Sequence, residues 1–238
     1  MPSQVAQVAA AAGLGRLLRV YQPKHQNWFL LVFMFLVGLV TSFVLVGLWM
    51  IWMIFRTPNL SKSVAARRIY LYEQGFVLVE RSEDPQVYRW DGIDTVFQKI
   101  VRQSYNGIQT GTKFLYTITR RDGATAKVTL FWDGGAQLGA HINERVSAAL
   151  LPGAVAAIHR GQGIQFGDMT LTMDGIAGKR QSVSWSQVSG IQIVNGFVRV
   201  RVRSKTMSLS STAAANLPNL PLFLTLANRL HQVSQTTW

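Results

Sequence analysis

Apolar positions follow two regimes along this chain. From Trp28 to Phe55 the sequence reads WFLLVFMFLVGLVTSFVLVGLWMIWMIF, with no charged residue and no polar face. Drawn as one helix at about 1.5 Å per residue, it would be roughly 42 Å long, against a hydrocarbon core of roughly 30 Å. The pattern predicts an uncleaved, tilted, single membrane span over 28–55. It is far longer than the ~7–15 residues of a signal-peptide core, and no small-x-small site follows it before Arg56. Trp28 at one end and Trp49 and Trp52 near the other suit the two interfacial belts. The alternative is a shallow hairpin bending near Gly38–Ser42. Its legs would fall short of the about 20 residues that a crossing needs, and unbroken hydrophobicity without proline favours the span.

After Arg56 the pattern becomes periodic. Phe114, Tyr116 and Ile118 alternate with Leu115, Thr117 and Thr119, and Val198, Val200 and Val202 alternate with Arg199, Arg201 and Arg203. Period two marks strands with one buried face. Asp122-Gly123, Asp133-Gly134-Gly135, Asp174-Gly175 and Asn195-Gly196 are turn signals between the runs. Two helices are predicted: Gln137–Leu151, interrupted by Pro152 with a short second helix over Ala154–His159, and one with Pro221 near its start and Val233 near its end. Before the apolar segment, Val5–Tyr21 reads either as an interfacial helix, with Leu14, Leu17 and Leu18 on one face, or, given Gly13 and Gly15, as a frayed N-terminal arm.

The β-rich region contains a repeat. Ile69-Tyr70-Leu71-Tyr72-Glu73-Gln74-Gly75 followed by Tyr88-Arg89-Trp90-Asp91-Gly92-Ile93 is matched by Met169-Thr170-Leu171-Thr172-Met173-Asp174-Gly175 followed by Val183-Ser184-Trp185-Ser186-Gln187-Val188. The extra residues of the first copy fall in the polar loop 81–86, a longer hairpin tip. Each copy offers six or seven strands and then an amphipathic helix, an order that resembles the pleckstrin-homology-like barrel. The fold expected is therefore α+β: an N-terminal transmembrane helix, then two small pleckstrin-homology-like antiparallel barrels, each closed by its C-terminal helix. The corresponding divisions are 1–27, an N-terminal arm; 28–55, the span; 57–160, the first barrel; and 161–238, the second. The chain also resembles an uncharacterised family of bacterial membrane proteins with an N-terminal hydrophobic segment and a β-rich region. The resemblance rests on the first-copy motif from Arg68 to Gly75, on Tyr88–Ile93, Phe166-Gly167, Ser184-Trp185 and Asn219-Leu220-Pro221. It brings no known activity with it.

Charge adds a partner class. The net charge is +13, and Leu151–Trp238 holds 8 Lys and Arg against Asp168 and Asp174 alone. Anionic lipid attracts such a surface by about 1 kcal/mol per Lys or Arg close to it. No nucleic-acid motif accompanies the charge, which sets nucleic acid aside. Basic residues flank the apolar segment on both sides: Arg16, Arg19 and Lys24 before it, Arg56, Lys62, Arg67 and Arg68 after it. The excess of one after it places 57–238 in the cytoplasm of a single-pass cell-membrane protein. The absence of cysteine excludes disulfides, a thiolate nucleophile and Cys-ligated zinc.

Candidate chemistry is sparse. His25, His141, His159 and His231 lack ligand-spaced partners, although His141 and Glu144 share a helix face, and two ligands make no metal site. Gly107–Lys113 fails the spacing of a phosphate loop. Asp91 and Asp94 are replaced by Ser186 and Ser189 in the second copy, so no paired carboxylate is repeated. Neither a catalytic residue nor a cofactor is assigned. The functional candidates are basic: the ladder Arg199, Arg201, Arg203 and Lys205 on one strand face, with Lys179 and Arg180 on the hairpin after Gly175. The competing explanation is a solvated strand face whose arginines deter edge pairing. In lipid-binding members of the pleckstrin-homology superfold, basic residues around early strands hold headgroups, which the resemblance transfers to Lys179 and Arg180. The expected function is a membrane-anchored, non-enzymatic protein that binds anionic headgroups or a partner protein, in a scaffold or accessory role. The alternative is a membrane-tethered enzyme with a site not recognisable from sequence.

Overall fold

The computed structural model describes residues 3–41, 45–80, 84–105, 108–179, 181–203 and 211–236. The chain forms two compact units, Met1–Arg89 with Leu130–Gly135, and Trp90–Thr129 with Ala136–Trp238.

The first unit begins with helix α1 (Ser3–Ala11) and strand β1 (Leu17–Tyr21). The apolar segment follows as α2 (Trp28–Val40) and α3 (Leu45–Phe55), then a short α4 (Lys62–Ala65) and strands β2 (Arg68–Tyr72), β3 (Gly75–Val79) and β4 (Gln86–Arg89). The four strands form one antiparallel sheet in the order β1-β2-β3-β4. Val5, Ala9 and Leu14 are buried against Tyr70, Tyr72 and Val77 of this sheet, which explains why α1 forms where it does. The helix predicted over Val5–Tyr21 therefore stops at Ala11, and Leu17–Tyr21 becomes a strand paired with β2. Local helix preference favours the alanine run, but it contains no information about a partner strand 50 residues downstream, as Tyr70 is from Val20.

The single membrane span is not formed. No helix among the described residues is long and apolar enough to cross a membrane. α2 has 13 residues and α3 has 11, hence about 20 Å and about 17 Å against a core of roughly 30 Å. The transmembrane helix and the single-pass cell-membrane location are overturned by this break. Thr41 caps α2, its Oγ1 donating to the Val37 carbonyl at 2.8 Å. The helices then close on each other at Gly38 and Gly47: a methyl group on Gly47 would lie 2.5 Å from the Gly38 carbonyl oxygen. Only glycine lets the two backbones come this near.

The second unit contains β5 (Ile93–Tyr105), β6 (Ile108–Arg120) and β7 (Thr125–Thr129), then α5 (Gly135–His159). There follow β8 (Ile164–Phe166), β9 (Met169–Leu171), β10 (Gly175–Ala177), β11 (Ser182–Ser184), β12 (Val188–Val194), β13 (Phe197–Val202), β14 (Ser211–Ala213) and α6 (Leu220–Thr236). Its three antiparallel sheets have the orders β5-β6-β7, β11-β10-β9-β8 and β12-β13-β14. Among the described residues the strands thus make four small sheets and no closed barrel, which overturns the tandem pleckstrin-homology-like architecture. The physical reason lies at the repeated tryptophans. Each starts a 3-10 turn, Trp90–Gly92 after β4 and Trp185–Gln187 after β11, so the hydrogen-bond ladder is broken where a barrel would have to continue. Pro152 does not interrupt α5, which runs unbroken for 25 residues. Leu138, Ile142, Val146 and Ile158 are all buried, and that packing offsets the roughly 3 kcal/mol cost of an interior proline.

The repeat itself has a structural basis. Gly75 and Gly175 open β3 and β10, where an added methyl would lie 2.3 Å from the Tyr88 carbonyl oxygen and 2.2 Å from that of Val183. The motif keeps glycine because the next strand passes too close for a side chain. Trp90 and Trp185 are both buried, and the Trp185 indole N–H donates to the Thr172 carbonyl at 3.0 Å. We expect Trp90→Ala or Trp185→Ala to lower stability by about 3–5 kcal/mol, measured by chemical denaturation of the full chain. A loss below about 1 kcal/mol would mean that neither indole fills a core position.

Candidate functional site

Two surfaces carry features that folding alone does not require. The first is the α2–α3 hairpin. Phe29 is 78% exposed, Val40 77%, Phe55 59% and Trp49 57%, and on α2 the buried residues are Leu31 and Gly38. A helix apolar on all sides is normally covered by protein or lipid. Here the outer faces of both helices are bare.

The base of the hairpin is polar and fixed. Asn27 caps α2 by accepting the Phe29 N–H at 3.0 Å. The Gln26 N–H donates to Asn59 Oδ1 at 2.8 Å, and Asn59 Nδ2 donates back to the Gln26 carbonyl at 2.9 Å. This two-way clasp holds the entering and leaving chains together. In the sequence, Asn59-Leu60-Ser61 only fits the glycosylation pattern, which is common by chance. The real role of Asn59 depends on Gln26, 33 residues away. The Arg56 guanidinium stacks 3.8 Å from the Trp52 ring centroid, and Lys24 and Lys62 are exposed beside the same base. Between the legs lies an apolar cleft of about 220 Å³, lined by Trp28, Leu31, Val32, Phe35, Ile54, Phe55 and Leu60.

The second surface is β13. Val198, Val200 and Val202 are buried, Arg199 is half-buried, and Arg201 and Arg203 are exposed, so the alternation read in the sequence holds. Its position differs from that of an edge strand. β13 lies between β12 and β14, so deterrence of edge pairing cannot explain Arg199, which β14 pairs. Across β12, Arg199 faces Gln192 and Arg201 faces Gly190. Among the described residues no carboxylate lies within 4.0 Å of the three arginines. Lys205 and Arg180 lie outside the described residues. Lys179 is on the β10–β11 hairpin of another sheet, and its Nζ is 3.1 Å from Asp168 Oδ2. That exposed pair contributes about 0–1 kcal/mol, but it occupies the lysine's charge locally.

Among the described residues no three of His, Asp and Glu gather as a metal set. His141 is instead a packed group: its ring meets Trp90 edge-on, with centroids 6.3 Å apart, and its Nε2 is buried without a hydrogen-bond partner. Burial, and then the charge of Arg145, hold its imidazole below the usual histidine range, against the opposing pull of Glu144. The unfolded chain therefore takes up this proton more readily than the folded one. Stability is complete above the ordinary histidine value of about 6.5 and falls as pH drops below it. We expect His141→Gln to flatten the loss of stability between about pH 7.5 and about pH 5, measured by denaturation at each pH.

The Family of unknown function (DUF6585) matches residues 1–236. No curated protein and no solved structure matches the chain. The chain belongs to this family of unknown function.

Proposed function

We propose that this family member is a non-enzymatic lipid-docking protein, whose α2–α3 hairpin enters one leaflet of an anionic bilayer without crossing it. The observation that carries the reading is the bare apolar hairpin with both ends clasped on one side. Moving a Phe, Leu or Val side chain out of water is worth about 1.5–3 kcal/mol. Several such side chains outweigh an association cost of about 4–15 kcal/mol. A leg of about 20 Å, tilted from the bilayer normal, stays within one leaflet of about 15 Å, half of the roughly 30 Å hydrocarbon core. The flanking Lys24, Arg56 and Lys62 then meet the headgroups, each adding about 1 kcal/mol on an anionic surface. Arg199, Arg201 and Arg203 supply further charge for anionic headgroups. Their role is to orient the β-rich part rather than to recruit the protein.

The test is flotation of the full chain with vesicles of neutral phosphatidylcholine and of phosphatidylcholine mixed with anionic phosphatidylglycerol. The protein should float with both, more strongly with the anionic vesicles, and the difference should shrink as salt rises. Phe29→Asp with Leu36→Asp should abolish flotation, and both side chains are exposed, so the fold should persist. Replacing Arg199, Arg201 and Arg203 by Ser should remove part of the anionic preference only. No flotation, or flotation unchanged in the Asp variant, overturns the reading. So does a stable vesicle-free dimer that the Asp variant dissociates, because a second copy would then cover the hairpin.

A further inference from the structure

The second unit holds a cavity of about 380 Å³ between β5 and β6 on one side and α5 and α6 on the others. That volume lies within the roughly 300–1,000 Å³ of small-molecule sites. Gln98 of β5, Tyr116 of β6, Asn143 and Ser147 of α5, and Leu222 and Thr225 of α6 line it. Most of this wall is apolar, but two of its polar groups have no protein partner. Asn143 is 3% exposed and Ser147 9% exposed. Asn143 Nδ2 donates to Gln98 Oε1 at 2.7 Å, which fixes the amide and leaves its Oδ1 as an acceptor. That Oδ1 and the Ser147 Oγ are both buried without a hydrogen bond. Positions four apart on a helix share a face, so the two residues belong to one wall of the cavity.

Buried polar atoms are nearly always paired, by protein, by water or by a ligand. We propose that this cavity is a binding site for a small neutral alcohol, an apolar body carrying one hydroxyl group. The hydroxyl donates to Asn143 Oδ1 and accepts from Ser147 Oγ, and the body packs against Leu222 and the Tyr116 ring. Glu144 also lines the cavity and is exposed, which disfavours a carboxylate ligand at the same mouth. An ether of the same shape accepts but cannot donate, and leaves Asn143 Oδ1 unpaired. The site is independent of the hairpin and of lipid docking.

The probes are benzyl alcohol, benzyl methyl ether and benzoate, titrated into the full-length chain in a single detergent. Binding is read from the methyl resonances of Ala140, Ala148, Leu151 and Leu222. Benzyl alcohol should shift these methyls saturably and bind at least about threefold more tightly than the ether, while benzoate leaves them unmoved. Ser147→Ala should weaken benzyl alcohol and the ether alike, each about fivefold, because both accept from the Ser147 hydroxyl, and the alcohol should keep its advantage over the ether, a comparison in which partition into detergent cancels. Alanine favours helix, so the variant retains α5. Absence of saturable shifts means that the cavity holds only water, and overturns the proposal. Equal binding of alcohol and ether, or a Ser147→Ala variant that behaves as the parent, overturns it equally.

Discussion

Val20 pairs with Tyr70 and Tyr21 with Ile69, and this short ladder joins the two ends of the most apolar stretch of the chain. Everything between must leave the sheet and return to it. A straight helix cannot do that, so the stretch folds into two legs, with Thr41 capping the first and Gly38 and Gly47 letting the legs touch. The Gln26–Asn59 clasp closes the loop with two hydrogen bonds at the polar end. Backbone pairing, glycine contact and clasp agree on one geometry, in which apolar surface projects from one side of a sheet-based unit. Lipid docking follows as a proposal from that geometry, because water is a poor solvent for what the hairpin exposes.

The β-rich region applies a second constraint twice. A glycine opens a strand so that the next strand can pass within about van der Waals reach of its backbone, and a buried tryptophan then starts a 3-10 turn. The turn redirects the chain into a new sheet instead of extending the old one. Around Trp185 this produces a core shared by β8 to β13, α6 and the end of α5, with Phe166 and Phe223 edge-on at 5.4 Å. In the same unit Asn219 accepts the Val96 N–H at 2.9 Å and donates to the Asp94 carbonyl at 2.8 Å, tying the start of α6 to β5.

Local signals in the sequence carried local structure well. Helix α6 was read with Pro221 near its start, and the valine–arginine alternation of β13 was read residue by residue, because amphipathic periods are written in neighbouring positions. Hydropathy over 28–55 misled because it measures how apolar a segment is, not where the chain goes afterwards. The β1–β2 pairing that decides this joins residues on opposite sides of the segment. Barrel closure was over-read for a similar reason: strand content is local, whereas pairing between sheets is not. The basic ladder was legible, but its central place in the sheet and the Lys179–Asp168 pair were not. Asn143 and Ser147 did leave a trace, as polar residues four apart within the apolar face of Leu138, Ile142 and Val146. Only the fold shows that their oxygens lack partners.

The central claim is that the hairpin sits in one leaflet with both its ends on the same side. The chain has no cysteine, so single cysteines at positions 28, 40 and 55 can each carry an environment-sensitive fluorophore without competing sites. Each labelled full-length chain is added to preformed anionic vesicles, and iodide, which does not cross them, is added outside. Insertion of the hairpin predicts a shielded, apolar signal at position 40 and similar quenching at positions 28 and 55. A label at position 40 as open to iodide as in buffer would contradict insertion, and quenching at only one of positions 28 and 55 would contradict the hairpin.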